Sequence, residues 1–430
     1  MKKSFKGFVI VTALSAALAA CSNDDSNNMD HENMDEMDHE NMEGMDHEEG
    51  ETSSGVSAEK LAEFAAPPEQ MNEKAQENLL TVNTKNTTRL NTQDPTEMSL
   101  LVSQTIWPAT HQENQPGTVI LVPDDNWQIG LAAADLIHHP NNGPVLLTNK
   151  NELSDETLNE INRLNPKGNK EGTQVMMMGD ISENVSNQLS QFEVERIDGT
   201  DPAQFAAAVD KKYADVSGGE FPEGVIIVSS EEEAKEYSIP AINWIAHMPE
   251  PVLYVNKDGI PEATKTALQE RENASLYILG PSSIVSDEIE TELGEYGNVT
   301  RIAGEDPVSN AIEFAKFKDE ETSFGWGLTD PGHGVSFVSS ATPELALAAA
   351  PFSHLGKHAP MIWLENGKMN ESVYDFLASL KPTFQDDPTQ GPYNHGYIIG
   401  GQDAVSFQSQ GIIDDKLEIV QEDGEGHGGH

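Results

Sequence analysis

One seven-residue pattern recurs three times in the chain and divides it into parts of nearly equal length. Each copy has an arginine, an apolar residue, three small or polar residues and then Asp-Pro. The copies begin at Arg89, Arg196 and Arg301, which lie 107 and 105 residues apart. A spacing of this size corresponds to a whole small domain rather than to one unit of a solenoid. The sequence therefore predicts three copies of one module.

Three short apolar segments follow each arginine in the same order, and the second of them begins with proline. They cover residues 119–122, 144–148 and 175–179 in the first copy, 225–228, 251–255 and 276–280 in the second, and 335–338, 360–364 and 396–400 in the third. Short, continuous apolar runs are typical of strands buried on both faces of a parallel sheet. We therefore expect at least three buried parallel strands in each module.

Helices are predicted between these strands. Apolar residues with helical spacing fall at Ile129, Ala132, Ala133, Leu136 and Ile137, and again at Leu153, Leu158, Ile161 and Leu164. The Asp-Pro pair predicts a helix start, because aspartate caps a helix and proline is tolerated in its first turn. The predicted fold class is α/β, with three tandem modules that each contain a largely parallel sheet flanked by helices.

The N-terminus has the features of a bacterial lipoprotein signal peptide over residues 1–21. Lysines precede a 13-residue apolar stretch at 8–20, which is too short for an ordinary membrane-spanning helix. Residues 18–21 read Leu-Ala-Ala-Cys, which resembles a lipobox, and Cys21 is the only cysteine in the chain. We therefore predict lipidation at Cys21, a lipid anchor on the extracytoplasmic face of the cell membrane, and no intrachain disulfide.

These features divide the whole chain into seven parts. After the signal peptide we expect a disordered acidic linker at residues 22–56 and a short helical segment at 57–85. Three modules follow at 86–198, 199–303 and 304–420, and a disordered His/Gly tail covers 421–430. The linker carries 13 acidic residues and no lysine or arginine, so it cannot bury a core.

The chain is strongly acidic, with a net charge of −48. The linker accounts for only a minor part of this excess, so the modules are themselves acidic. Such a surface argues against nucleic acid as a partner. An anionic polymer would have to be met at local basic points or through bridging divalent cations.

The acidic linker contains a Met-Asp-His unit that recurs every eight residues. The candidate metal ligands are Met29, His31, Met34, Met37, His39, Met42, Met45 and His47. The units resemble the Met-Asp-His repeats of bacterial copper-resistance proteins, and thioether and imidazole groups suit copper. The alternative is a solvated acidic spacer that holds the modules away from the membrane. We expect no required cofactor, with copper or divalent cations as optional ligands.

The repeated motifs resemble those of the bacterial cell-wall-binding repeat 2 family. They are Arg-Ile-x-Gly at 196–199 and 301–304, an alanine-rich helix with proline at both ends at 343–351, Pro-Val-Leu-Leu-Thr at 144–148, and Tyr-Ile-Leu-Gly at 277–280. The resemblance covers residues 86–420. It implies three modules packed with pseudo-threefold symmetry. It also implies non-covalent attachment to a cell-wall anionic polymer, bound near the module junctions.

Two roles are open for the repeated arginines, Arg89, Arg196 and Arg301. A guanidinium can bind phosphate or carboxylate through two parallel hydrogen bonds, which suits an anionic polymer. The alternative is an ion pair with a neighbouring acid that fixes the module or its junction. We therefore treat these residues as candidates for polymer binding or for module-junction contacts.

The sequence lacks the motifs of common hydrolases and nucleotide-binding enzymes. There is no Gly-x-Ser-x-Gly, no phosphate-loop signature and no His-Glu-x-x-His. We therefore expect a non-catalytic, lipid-anchored protein that binds the cell wall. An extracytoplasmic copper-binding lipoprotein, with the modules as a scaffold for the linker, is the alternative. An enzyme with a site between modules is the third possibility.

Overall fold

The computed structural model describes residues 57–72 and 74–422. The predicted signal peptide at 1–21, the Met/Asp/His linker and residues 423–430 of the tail lie outside the described residues, and so do Cys21 and the candidate ligands Met29 to His47. Within the described part of the chain, no helix is both long and apolar enough to cross a membrane.

Fourteen strands are formed by the described residues. They are β1 (Thr87–Leu90), β2 (Val119–Pro123), β3 (Val145–Thr148), β4 (Val175–Met178), β5 (Val194–Ile197), β6 (Gly224–Ser229), β7 (Val252–Val255), β8 (Ala274–Leu279), β9 (Gly297–Ile302), β10 (Gly334–Ser339), β11 (Met361–Leu364), β12 (Thr383–Phe384), β13 (His395–Ile399) and β14 (Val420–Gln421). All nine predicted apolar strands are confirmed, with ends that differ by no more than two residues.

Fifteen α-helices are formed in the same part of the chain, one before β1 and the others between the strands. They are α1 (Ala58–Ala65), α2 (Pro95–Ile106), α3 (Trp127–Ala133), α4 (Asp155–Leu164), α5 (Glu183–Gln188), α6 (Pro202–Ser217), α7 (Lys235–Ser238), α8 (Ala241–Ile245), α9 (Glu262–Gln269), α10 (Asp287–Leu293), α11 (Pro307–Lys316), α12 (Glu344–Ala349), α13 (Pro351–Leu355), α14 (Glu371–Ser379) and α15 (Phe407–Lys416). The two helices predicted from apolar spacing correspond to α3, which continues as a 3₁₀ turn, and to α4.

Three four-stranded sheets form the framework, and all their strand pairs are parallel. Their orders are β3-β2-β4-β5, β7-β6-β8-β9 and β11-β10-β13-β1. In each sheet, the second of the three apolar strands lies at one edge, and the first, the third and the arginine-bearing strand follow across the sheet. The common order confirms the predicted α/β class and the likeness of the three modules. The pseudo-threefold arrangement stays a prediction.

The third sheet is completed by a strand from the beginning of the described chain. Strand β1 pairs with β13, with Thr87 opposite Gly396 and Leu90 opposite Ile399. The predicted bounds place this strand, at the start of residues 86–198, in the first module. It is instead the fourth strand of the sheet formed by residues 304–420, whereas β5 and β9 lie in the sheets of the modules to which the bounds assign them. A four-residue strand carries no local signal of which distant strand it joins.

The helix that follows each arginine-bearing strand packs on a different sheet from that strand. Helix α2 packs on β3, α6 on β7 and α11 on β11. The repeated motif therefore crosses each junction, with its strand in one sheet and its helix on the next.

The predicted caps of these three helices are all present. Asp94 accepts a hydrogen bond from the Glu97 amide at 2.8 Å, and Asp201 and Asp306 accept equivalent bonds at 2.9 Å. In each helix proline occupies the first turn, where a missing N–H costs nothing. The capped start fixes where the chain leaves one sheet for the next.

Burial of the strands explains their composition. Every residue of β2, β3, β4, β7 and β11 is buried, and one hydrophobic cluster extends through residues of all three sheets. Before the first sheet, α1 packs on α14 with Phe64 buried, and the Lys416 ammonium donates to the carbonyl oxygens of Phe64 and Ala66. Helix α1 agrees with the short helical segment predicted within 57–85.

Candidate functional site at the sheet junctions

The three repeated arginines bind groups within their own sheet and its adjoining helices. Arg89 is buried, and its guanidinium donates to the carbonyl oxygen of Gly400 at 2.8 Å and to Gln410 Oε1 at 2.7 Å. Burial lowers the pKa of Arg89 to about 10. Its acceptors are uncharged, so this arginine stabilises the loop after β13 by hydrogen bonding alone.

The other two arginines combine the same kind of contact with an ion pair. Arg301 donates to the Gly280 carbonyl at 2.9 Å and to Glu290 Oε2 at 2.6 Å. Arg196 donates to the carbonyl of Ile181 and to Asp198 Oδ1 at 2.8 Å. All three arginines therefore bind the loop that follows the third strand of their sheet. The ion pairs of Arg196 and Arg301 agree with the second predicted role, in which the arginine fixes its module or junction. Polymer binding by the three arginines stays a prediction.

A cleft of about 400 Å³ lies where α2 meets the carboxyl ends of the first sheet. Helix α2 contributes residues from its capped end, and the loops after β2 and β3 and the start of α4 supply the rest. The lining residues are Asp94, Thr96, Glu97, Leu100, Asp124, Thr148, Asn149, Glu152, Ser154 and Glu156. The carboxyl end of an open parallel sheet is where α/β proteins bind their ligands.

A second cleft, of about 370 Å³, occupies the corresponding position at the third sheet. The capped end of α11 takes the place of α2, and the loops after β10 and β11 take the places of those after β2 and β3. The lining residues are Glu236, Asp306, Pro307, Val308, Ser340, Glu365, Asn366 and Asn370. The same construction at two junctions makes the pair of clefts the leading candidate for a repeated binding site.

Most of the residues that line the two clefts carry a carboxylate, hydroxyl or amide group. In the first, burial and the neighbouring charge of Asp125 raise the pKa of Asp124. Near it, the Lys150 ammonium lies 3.1 Å from Asp125 Oδ2 and 3.5 Å from Asp180 Oδ2, and these contacts raise its pKa. Such groups can hydrogen-bond sugar hydroxyls and can coordinate hard cations through oxygen. They repel a bare anion.

Metal-binding capacity within the described residues is limited. In residues 57–72 and 74–422, no three His, Cys, Asp or Glu side chains are grouped so that they could hold an ion. A cation in either cleft would therefore need further oxygen ligands from water or from the bound molecule.

Sequence analysis missed two residues that join neighbouring modules. The Tyr254 hydroxyl on β7 donates to the carbonyl of Gln128 at 2.8 Å, and the Trp363 indole on β11 donates to the carbonyl of Glu236 at 2.8 Å. Both occupy the third position of the Pro-led strand, where the first module has Leu147. An aromatic side chain with a polar end in an otherwise aliphatic strand was the available signal.

The fold consists of three α/β modules, with a candidate ligand-binding cleft at two of their junctions. No protein-family model matches the chain. Over 229 residues, which are 52% of this chain and 42% of the relative, the sequence is 26% identical to the N-acetylmuramoyl-L-alanine amidase LytC of Bacillus subtilis (strain 168). The chain therefore aligns with less than half of that amidase.

Two solved structures from Clostridium difficile share the fold. Cwp6 superposes with a TM-score of 0.61 at 19% identity, covering 77% of this chain and 48% of the other. Cwp8 gives a TM-score of 0.59 at 19% identity, covering 78% of this chain and 52% of the other. At this level of identity the likeness concerns the fold, and the chain spans about half the length of each.

Proposed function

We propose that this protein is a non-catalytic cell-wall-binding protein whose three modules attach to an anionic wall polymer. The observation that carries the proposal is the repeated junction cleft at the carboxyl ends of two sheets, in a fold shared with Cwp6 and Cwp8. The partial similarity to an amidase whose name gives a cell-wall substrate supports the same location.

Charge decides how an anionic polymer would enter these clefts. With 73 acidic and 25 basic residues, the chain repels a free polyanion, and screening acts over only about 8 Å at physiological salt. The polymer's sugar hydroxyls would hydrogen-bond the amide and hydroxyl groups. Divalent cations would be shared between its phosphates or carboxylates and the cleft acids. Binding that needs divalent cations follows from this arrangement.

A charge-matched pair of variants tests the clefts. The triple variant E152Q/E156Q/E365Q removes three exposed carboxylates that line them. The control E113Q/E220Q/E320Q removes three exposed carboxylates elsewhere, with the same change in net charge. We expect the first variant to lose most divalent-dependent sedimentation with isolated walls and the control to retain it. Equal behaviour of both variants would place the polymer outside the clefts.

Lipid anchoring is the second part of the proposal. It rests on the lipobox sequence that ends at Cys21. C21A should abolish lipidation and release the protein from the membrane fraction, while its wall binding through the modules persists. Retention of C21A in membranes at the wild-type level would contradict the anchor and leave the cleft hypothesis untouched.

A further inference from the structure

Two histidines from different modules face each other where the second and third modules meet. His247 follows α8, and His358 precedes β11. Their Nδ1 atoms are 3.4 Å apart, and their ring centroids are separated by 4.4 Å. Two nitrogens bound at 2.0–2.1 Å to one tetrahedral ion are separated by about 3.3 Å. The Nδ1 separation is therefore close to that of two ligands on one tetrahedral ion, whereas the short centroid separation requires the exposed His358 ring to turn when a metal binds.

Contacts around the pair restrain the His247 imidazole and the backbone beside His358. The indole ring of Trp326 stacks on His247 at 5.6 Å and an interplanar angle of 11°. The side chain of Asn243, on α8, is buried and donates to the carbonyl of Ala359 at 2.9 Å, which fixes the backbone next to His358. The His247 ring and the backbone that carries His358 are therefore positioned before a metal binds.

The backbone at His358 is itself unusual. Lys357 and His358 have φ values of 67° and 52°, so two successive non-glycine residues adopt the left-handed conformation. Such residues persist only where surrounding contacts determine them, and they are concentrated at functional sites. Here the conformation directs an exposed imidazole toward a partner in another module, 111 residues earlier in the chain.

We propose that His247 and His358 form a binding site for a divalent transition-metal ion, with Zn²⁺ as the representative ion, that links the second and third modules. Imidazole is a preferred ligand for Zn²⁺ and Cu²⁺. Because no third His, Cys, Asp or Glu among the described residues is grouped with the pair, water completes the coordination. Without metal, one Nδ1–H donates to the other Nδ1. This site is separate from the junction clefts and from the Met/Asp/His linker.

Thermal unfolding of the full chain with added Zn²⁺ tests the site. An ion that binds the folded junction raises Tm by linkage, whereas binding to the linker or tail leaves Tm unchanged if these segments bind equally in the folded and unfolded states. We expect a saturable upward shift of Tm. H247N and H358N should each lose it, and H333N, at a half-buried loop histidine of the third module, should retain it.

A linker variant completes the design. Replacing His31, His39 and His47 by asparagine should preserve the Zn²⁺-induced shift. If H247N is too unstable to assay, H358N decides, because that ring lies at the surface. Loss of the shift in H358N with retention in H333N supports the site. The absence of any shift in the wild type, or its retention in H358N, would show that the two histidines form only a structural hydrogen bond.

Discussion

The guanidinium of Arg89 donates to the carbonyl oxygen of Gly400 across 2.8 Å, although the two residues are 311 positions apart in the sequence. This bond lies where β1 completes the third sheet beside β13. The first strand of the repeat region thereby joins the last module, while α2 packs on the first. The three modules are thus connected in a closed order, because at every junction the arginine-bearing strand lies in one sheet and the helix that follows it packs on the next.

Removal of the buried arginine should weaken this closure. R89Q shortens the side chain and leaves the Gly400 carbonyl and Gln410 without their donor, which should lower the free energy of unfolding by roughly 2–4 kcal/mol. R196Q provides the comparison, since its side chain is more exposed and its ion pairs face solvent. Urea unfolding measures both. A loss of stability in R89Q no larger than that in R196Q would contradict the role of Arg89 in joining β1 to the third sheet.

Acid should weaken the same strand pair. His395 Nε2 lies 3.0 Å from Thr88 Oγ1 on β1, with the Tyr397 ring at 4.9 Å. Burial, followed by the charge of Lys357, lowers the pKa of His395 to about 4, while Asp414 opposes this effect. The unfolded chain, with a histidine pKa near 6.5, therefore binds a proton more readily. Stability from this residue is complete above about pH 6.5 and decreases as the pH falls toward 4.

The variant H395Q isolates this contribution from the many titrating carboxylates. Between pH 7.5 and 5, the free energy of unfolding should fall less in H395Q than in the wild type. H333Q, at a loop histidine outside the strand pair, should keep the wild-type difference. An identical pH response in H395Q and the wild type would assign the acid sensitivity to other groups.

A single hydroxyl should contribute to the junction of the first two modules. Y254F removes the hydrogen bond that the buried Tyr254 side chain donates to the Gln128 carbonyl, which should cost about 1 kcal/mol. Y393F is the matched control, because the Tyr393 hydroxyl donates to the carbonyl of Pro388 at an exposed position. Chemical denaturation measures the free energy of unfolding of both variants. If Y254F loses no more stability than Y393F, the junction does not depend on this hydrogen bond.

Local sequence predicted the strands and the helix starts because their causes are local. Strands such as β2 are buried on both faces and must be continuously apolar, and Asp94, Asp201 and Asp306 bind amides only three residues away. The sheet that receives β1 depends on a partner some 300 residues away, which no local pattern specifies.

The candidate sites were harder to predict for the same reason. Each cleft is assembled from a helix end and two or three separate loops, and no single segment carries its chemistry. The His247 and His358 imidazoles meet only after two modules pack. The polar residues directly after strand ends, such as Asp124, Asn149 and Glu365, were the available signal, since ligands bind at the carboxyl ends of parallel strands.

Sedimentation with isolated cell walls tests the central claim most directly. Protein that lacks residues 1–56 is mixed with walls before and after the anionic polymers are stripped, with divalent cations or with a chelator, and its folding is checked by circular dichroism. We predict that the folded protein sediments with intact walls in the presence of divalent cations and stays in the supernatant with stripped walls. A folded protein that remains in the supernatant with intact walls at every salt and divalent concentration would contradict wall binding.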